Sequence, residues 1–333
     1  MQRSDPGRRR SPKQWLIKKI VAPFSAPRLD MAKDYELVRR FQQKLAAART
    51  RPGKSWEDHR LPGLEQDPEI LIRVFRPRKF QDSTLLVFFH GGGWVTGNTD
   101  SYTPACTAMA EATGRVVASV NYRLAPEHPF PAGLRDCYQV ARTLIQEPQR
   151  LGGPADKVVL VGDSAGGNLV AAVSLLLREQ GEEPADQQIL FYPVAHFDHD
   201  PATSPFESVR EHGEDYRLTN LEVQQYLNLY VPDPKWRIHP LVAPLKAEDL
   251  SDQPETLLIT AELDLLRDEG EAYAEGLRAA GNRVSVHRMP EAFHGFLTMP
   301  RYSRPVRQAY RLMNAFLGGV RVDEGPSTPE AGE

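Results

Sequence analysis

Cysteine is scarce in this chain. Cys106 and Cys137 are its only two in 333 residues, too few for a disulfide scaffold or a four-thiolate zinc site. Charge of one sign is not in excess either. Forty-one Lys and Arg stand against 44 Asp and Glu, for a net charge of -3, so a general nucleic-acid-binding role is excluded. Long apolar runs are missing: stretches such as Leu85 to Phe89 fall far short of the ~20 residues of a membrane helix. No export signal is read, because Lys18 and Lys19 interrupt the apolar stretch Trp15 to Val21. With no disulfide pattern in addition, a cytoplasmic location is expected. What the chain has in excess is proline, 28 residues, about 8% against a usual ~5%. The hydrophobic and charged fractions, 41% and 26%, are those of a globular protein rather than a disordered or collagen-like one.

At ~150 residues per domain the length suggests about two domains. Asp34 to Ala48 reads as a helix, with Tyr35, Leu37, Val38, Phe41 and Leu45 at helical spacing. From Glu69 onward short β-rich runs alternate with helical ones. Strands are expected at Glu69–Phe75, Thr84–Phe89, Arg115–Val120, Lys157–Val161, Gln187–Phe191, Thr256–Thr260 and Val284–Arg288. Helices are expected at Thr103–Ala112, Gly133–Gln146, Ala165–Glu179, Asp268–Ala280 and Pro305–Leu317. Such alternation predicts a mostly parallel sheet with helices on both faces. It breaks between Tyr192 and about Pro244, where the sequence is polar, proline-rich and aromatic, with one helical stretch, Asn220 to Tyr230. So long a structureless loop is improbable in a compact domain, which predicts an insertion with its own helices over one edge of the sheet. The acidic tail from Arg321 reads as disordered.

Gly162-Asp163-Ser164-Ala165-Gly166 follows a predicted strand and opens a predicted helix. A G-x-S-x-G turn in that context places a nucleophilic serine at the end of a strand, with small residues where the backbone must fold sharply. His90-Gly91-Gly92-Gly93-Trp94 follows the strand Thr84–Phe89. Its bare backbone N–H groups suit an oxyanion hole, assigned to Gly92, Gly93 and Ala165; His90 is read as structural. A serine needs a base, and the base an orienting acid. The chain order nucleophile, acid, histidine points to Asp264, just past the strand Thr256–Thr260, and to His294, after the last strand. Glu262 and Asp268 are the rival acids, Asp268 being read as a helix cap. His287 lies inside a strand.

These motifs resemble those of the hormone-sensitive-lipase family of α/β-hydrolase esterases, which includes arylacetamide deacetylase-like enzymes. The resemblance rests on His90 to Trp94, Tyr122 to Ala132, Gly162 to Asn168, Glu262 to Gly270 and His294-Gly295-Phe296, in the expected order across residues 70 to 317. It implies an α/β-hydrolase fold and a carboxylesterase with Ser164, Asp264 and His294 as its triad, acting without cofactor or metal on short- to medium-chain acyl esters. It also implies a discontinuous helical cap, drawn here as residues 1–55 and 193–245, over a catalytic domain of residues 56–192 and 246–320, with 321–333 as tail. Two departures stand out. Leu265 occupies the place of the family's proline after the acid, and His239 precedes Pro240 where the family shows serine. Arg123 and Glu127 are read as a scaffold beneath the serine turn, in a segment stiffened and extended by Pro126, Pro129 and Pro131.

Other readings compete. A deacetylase of one acetylated metabolite would use the same chemistry. A ligand receptor on the same fold would be expected to have lost a triad residue, and none is lost. His196, Asp198 and Asp200 could share a face as metal ligands, against the alternative of a polar turn opening the insertion. The basic start, with Trp15, Leu16, Ile17, Ile20 and Val21 among lysines, could lie on an anionic membrane or serve as a cap helix. Homodimerisation is common in the family.

Overall fold

The computed structural model describes residues 30–49, 56–153, 155–214 and 217–320. The expectations for the basic start and the acidic tail lie outside these residues. In chain order the elements are α1 (Met31–Arg49), β1 (Trp56–Leu61), β2 (Ile70–Phe75), β3 (Thr84–Phe89), α2 (Thr99–Thr113), β4 (Val116–Asn121), α3 (Ala132–Gln146), β5 (Lys157–Asp163) and α4 (Ala165–Glu179). They continue with β6 (Gln187–Phe191), α5 (Glu207–His212), α6 (Asn220–Tyr230), β7 (Glu255–Leu263), α7 (Arg267–Ala279), β8 (Val284–Phe293) and α8 (Arg304–Leu317).

The strands form one sheet in the order β1-β2-β4-β3-β5-β6-β7-β8. From β4 to β8 every pairing is parallel; β2 runs antiparallel to both of its neighbours. The central strands β3, β5 and β6 are buried along nearly their whole length, as strands covered on both faces must be. Alternate residues feed opposite layers. Leu85, Val87 and Phe89 pack with α3, α4 and α7, whereas Leu86 and Phe88 pack with α2 and α8. This is the helix–sheet–helix architecture that the alternation predicted.

β1 was not legible in the sequence. Its residues, Trp-Glu-Asp-His-Arg-Leu, are exposed or half-buried up to the buried Leu61 on an edge strand, where little burial demands an apolar pattern. α2 begins four residues earlier than expected because Asn98 and Ser101 form a capping box, ahead of Pro104. β7 and β8 run on past their predicted ends to carry the residues that follow toward the site. Pro290 fits within β8 because that strand is an edge.

Beyond β6 the chain leaves the sheet and forms α5, α6 and two short turns at Pro234–Trp236 and Pro244–Lys246. The expectation there held one helix; the structure adds α5. α6 packs against α1 and is tied to the rest of the molecule by Tyr230. The Tyr230 ring stacks on Trp94 at 4.5 Å, and its carbonyl accepts the N–H of Phe130 at 2.8 Å. His239, one of the departures from the family pattern, joins this aromatic group beside Trp236 and Phe130.

Candidate active site

Ser164 stands between β5 and α4 with φ 56° and ψ -121°, a backbone region that L side chains rarely occupy. Its N–H donates to the carbonyl of Phe191 at 2.9 Å. The flanking glycines are sterically required. A Cβ on Gly162 would lie 2.3 Å from the Gly166 carbonyl oxygen, and one on Gly166 would lie 2.0 Å from that of Phe89. The turn can therefore press against the end of β3 only if both residues lack side chains.

His294 follows β8, and Gly295 at φ 74° turns the chain behind it. Its Nε2 lies 2.8 Å from Ser164 Oγ and its Nδ1 lies 2.7 Å from Asp264 Oδ2. Asp264, directly after β7, is buried, and its second oxygen accepts the N–H of Leu266 at 3.0 Å. Leu265, standing where the family has proline, is wholly buried in the core. The rival acids are engaged elsewhere. Glu262 accepts the N–H of Glu291 at 2.6 Å. Asp268 does not cap α7: it sits inside the first turn, receiving the N–H of Ser208 at 2.7 Å and the Arg267 guanidinium at 2.7 Å. A hydroxyl bonded to an imidazole whose far nitrogen donates to a buried carboxylate is an arrangement that can activate the hydroxyl for attack.

The glycine loop lies beside Ser164. Gly92 and Gly93 have φ of 119° and 61°, and a Cβ on Gly93 would strike the Tyr226 ring of α6 at 2.3 Å. Among the described residues no protein group takes the N–H of Gly92, Gly93 or Ala165. His90 is structural in its contacts. It stacks on Tyr122 at 4.3 Å, its Nδ1 faces the Gly91 carbonyl at 2.9 Å, and burial pushes it down to about 4, so the ring stays neutral.

Sequence reasoning missed Asp163, the variable residue inside the serine motif. Its carboxylate accepts the N–H of Gly91 at 2.8 Å, the Tyr102 hydroxyl at 3.1 Å and the Tyr192 hydroxyl at 3.4 Å. Burial, only partly offset by those bonds, raises it to about 6. Tyr192 in turn packs edge-on against His294 at 4.9 Å and accepts the N–H of Leu297 at 3.1 Å. One carboxylate thus joins the serine turn, the glycine loop and the histidine loop. Glu269 was missed as well. Fully buried, it accepts the Ala195 N–H at 2.8 Å and faces His199 Nε2 at 2.8 Å, pinning the chain where it leaves β6.

Two local expectations need correction. Arg123 and Glu127 do not work as one scaffold. Arg123 forks onto Asp136 and reaches Asp67 at 3.0 Å, whereas Glu127 receives Arg39 of α1 at 2.8 and 3.0 Å. The proline segment is a folded turn rather than an extended one, closed by His128 N–H to the Leu124 carbonyl at 2.9 Å. The stretch weighed as metal ligands or as a polar turn closes on itself through local hydrogen bonds: His196 accepts the Asp198 N–H, Asp198 accepts that of Asp200, and Asp200 accepts that of Ala202.

A cavity of about 260 Å3 opens above Ser164 and His294. Gly92 and Gly93 line it together with Gln42 and Leu45 of α1 and Val223 and Tyr226 of α6. Residues 86–298 match the profile of the α/β-hydrolase-fold family. The chain belongs to that α/β-hydrolase family. Within it, this hydrolase is 38% identical to an arylesterase of Saccharolobus solfataricus over 242 residues, 72% of this chain and 77% of the relative. It is 36% identical to the carboxylesterase NlhH of Mycobacterium tuberculosis over 245 residues, 72% of this chain and 75% of the relative. An esterase structure from Pyrobaculum calidifontis superposes on the hydrolase with a TM-score of 0.82 and 33% identity, covering 94% of this chain and 99% of that one. The resemblance to hormone-sensitive-lipase esterases agrees with these relatives. No described helix is long and apolar enough to cross a membrane.

Proposed function

We propose that this carboxylic ester hydrolase works through an acyl-enzyme on Ser164. His294 removes the Ser164 proton as Oγ attacks the ester carbonyl. Asp264 holds the imidazole in the required tautomer and stabilises the imidazolium. The N–H groups of Gly92, Gly93 and Ala165 stabilise the oxyanion, a donor of this kind being worth ~3 kcal/mol in the transition state. His294 protonates the departing alcohol, then activates water to release the acid. The observation that supports this reading best is the contiguous run from Ser164 Oγ through His294 to Asp264, with contacts of 2.8 and 2.7 Å.

The cap, in this reading, comprises α1 together with residues 193–245, and it sets the acyl preference. The cavity volume of about 260 Å3 favours short to medium acyl groups. Ser164→Ala is expected to lower turnover of p-nitrophenyl butyrate at least ~10³-fold with the melting temperature preserved. Near wild-type turnover in that variant would end the assignment.

A further inference from the structure

The cavity above Ser164 does not stand alone. At about 260 Å3 it lies just below the ~300–1,000 Å3 usual for small-molecule sites. Pro104, Ala105 and Thr298 form a sill at its edge, and the same three residues line a second cavity of about 960 Å3. That groove runs between α2, at Thr107 and Ala108, and the turn from Leu297 to Tyr302, and reaches Trp56 of β1. Its charges largely satisfy one another. Arg78 pairs with Glu111 at 3.1 Å, and Arg76 sits 3.5 Å from Glu57 while donating to the Leu151 carbonyl. The exposed Tyr302 ring, the half-buried Trp56 and the α2 residues Thr107 and Ala108 are left to meet a ligand.

The mechanism orients the groove. His294 must protonate the leaving alcohol, so the alcohol oxygen has to sit beside Nε2. Thr298 belongs to the turn that His294 opens, donating its N–H and hydroxyl to the Gly295 carbonyl at 3.2 and 2.9 Å. The sill is therefore on the histidine side of the cavity, and the groove continues from where the alcohol must lie. Val223 and Tyr226 of α6, which line the cavity but not the groove, are left to the acyl group. We propose that the groove between α2 and the Leu297–Tyr302 turn binds the alcohol portion of the substrate, and that the preferred esters are those of long, ring-bearing alcohols. This rests on the ester-hydrolase reading above.

The test uses the full chain and one acyl group with a growing alcohol: methyl, benzyl and 4-phenylbutyl butyrate, followed by pH-stat. Burial of added apolar groups in a pocket discriminates by ~10- to 200-fold, so kcat/KM should rise at least ~10-fold across the series. Ala108→Trp fills the groove beyond the sill. It should remove that gain while leaving methyl butyrate within about twofold of wild type. Tyr302→Ser provides a second arm that spares the fold, because this side chain is 76% exposed. It should raise KM for 4-phenylbutyl butyrate about threefold or more with methyl butyrate unchanged. If the ratio of 4-phenylbutyl to methyl butyrate is the same in wild type and both variants, the groove does not bind the alcohol and the proposal falls. It falls equally if the variants discriminate only against longer acyl chains, tested with methyl octanoate. In both cases the esterase reading survives on methyl butyrate. Failure of the wild type to hydrolyse any ester would instead remove that reading and the proposal together.

Discussion

Asp163 shows how much a single buried carboxylate can organise. It holds the glycine loop through Gly91 and touches the histidine loop through Tyr192, yet its only local signature is a place in a motif that tolerates many residues. Burial raises it from 3.8 to about 6. A carboxyl whose folded value is raised binds a proton on folding within that interval. Its contribution to stability is complete below about pH 3.8 and is lost as pH rises through about 6. Asp163→Asn removes this dependence, so the melting temperature of the variant relative to wild type should climb between about pH 4 and pH 6.5. A flat difference would show that the carboxyl does not titrate in that window. Ser164, Asp264 and His294 were legible as candidates because each follows a strand in the order this fold uses. The partners of Asp163 were not, since Tyr102 lies in α2 and Tyr192 just past β6, on either side of it in the chain.

At the scale of elements, two contacts decide how the site is held. The first is the seating of α4 on β3 through Gly166. In Gly166→Ala the added methyl would meet the Phe89 carbonyl at 2.0 Å, and backbone cannot rotate away as a side chain can. Destabilisation of ~3 kcal/mol, the upper end for overpacking, is expected from denaturant unfolding, with loss of hydrolysis because Ser164 moves with the helix. The second is Arg39, which fastens α1 to Glu127 and to the carbonyls of Val95 and Ala125 at 2.7 and 2.9 Å; the same pairing holds the Glu127 carboxyl below its ordinary value. Arg39→Ala should raise KM more than it lowers kcat and open α1 to limited proteolysis. Unaltered KM and protease resistance would mean that other contacts place the helix. Central strands and helices were readable because burial on both faces forces apolar runs. β1 and α5 were not, because an exposed edge strand and a six-residue helix need no such pattern.

For the molecule as a whole, the proposed chemistry gathers where separate stretches of chain meet at the ends of the parallel strands. β3 delivers the glycine loop, β5 the serine, β7 the aspartate and β8 the histidine, while α1 and α6 close the space above. Among the described residues no cluster of three His, Cys, Asp or Glu is set to hold a metal, and the proposed mechanism calls for none. Incubation with EDTA should therefore leave the hydrolysis rate unchanged; loss of rate restored by a divalent cation would contradict it. Many of the prolines mark places where the chain leaves regular structure, though Pro104 and Pro290 lie inside α2 and β8, and they did not give the shape it takes there: the Leu124–Pro131 segment folds back instead of extending. The sequence alone determined the sheet-and-helix alternation, the order of serine, acid and histidine, and the glycines that the sharp turns require, because these depend on spacing and on steric demands within a few residues. Only the tertiary structure decided that Arg123 serves Asp136 and Asp67, that Glu127 anchors α1, that Asp163 joins three loops, and that a second groove meets the cavity at Thr298. Those pairings form across different elements of the fold, and a carboxylate or guanidinium carries no local mark of the distant partner that burial will require it to find.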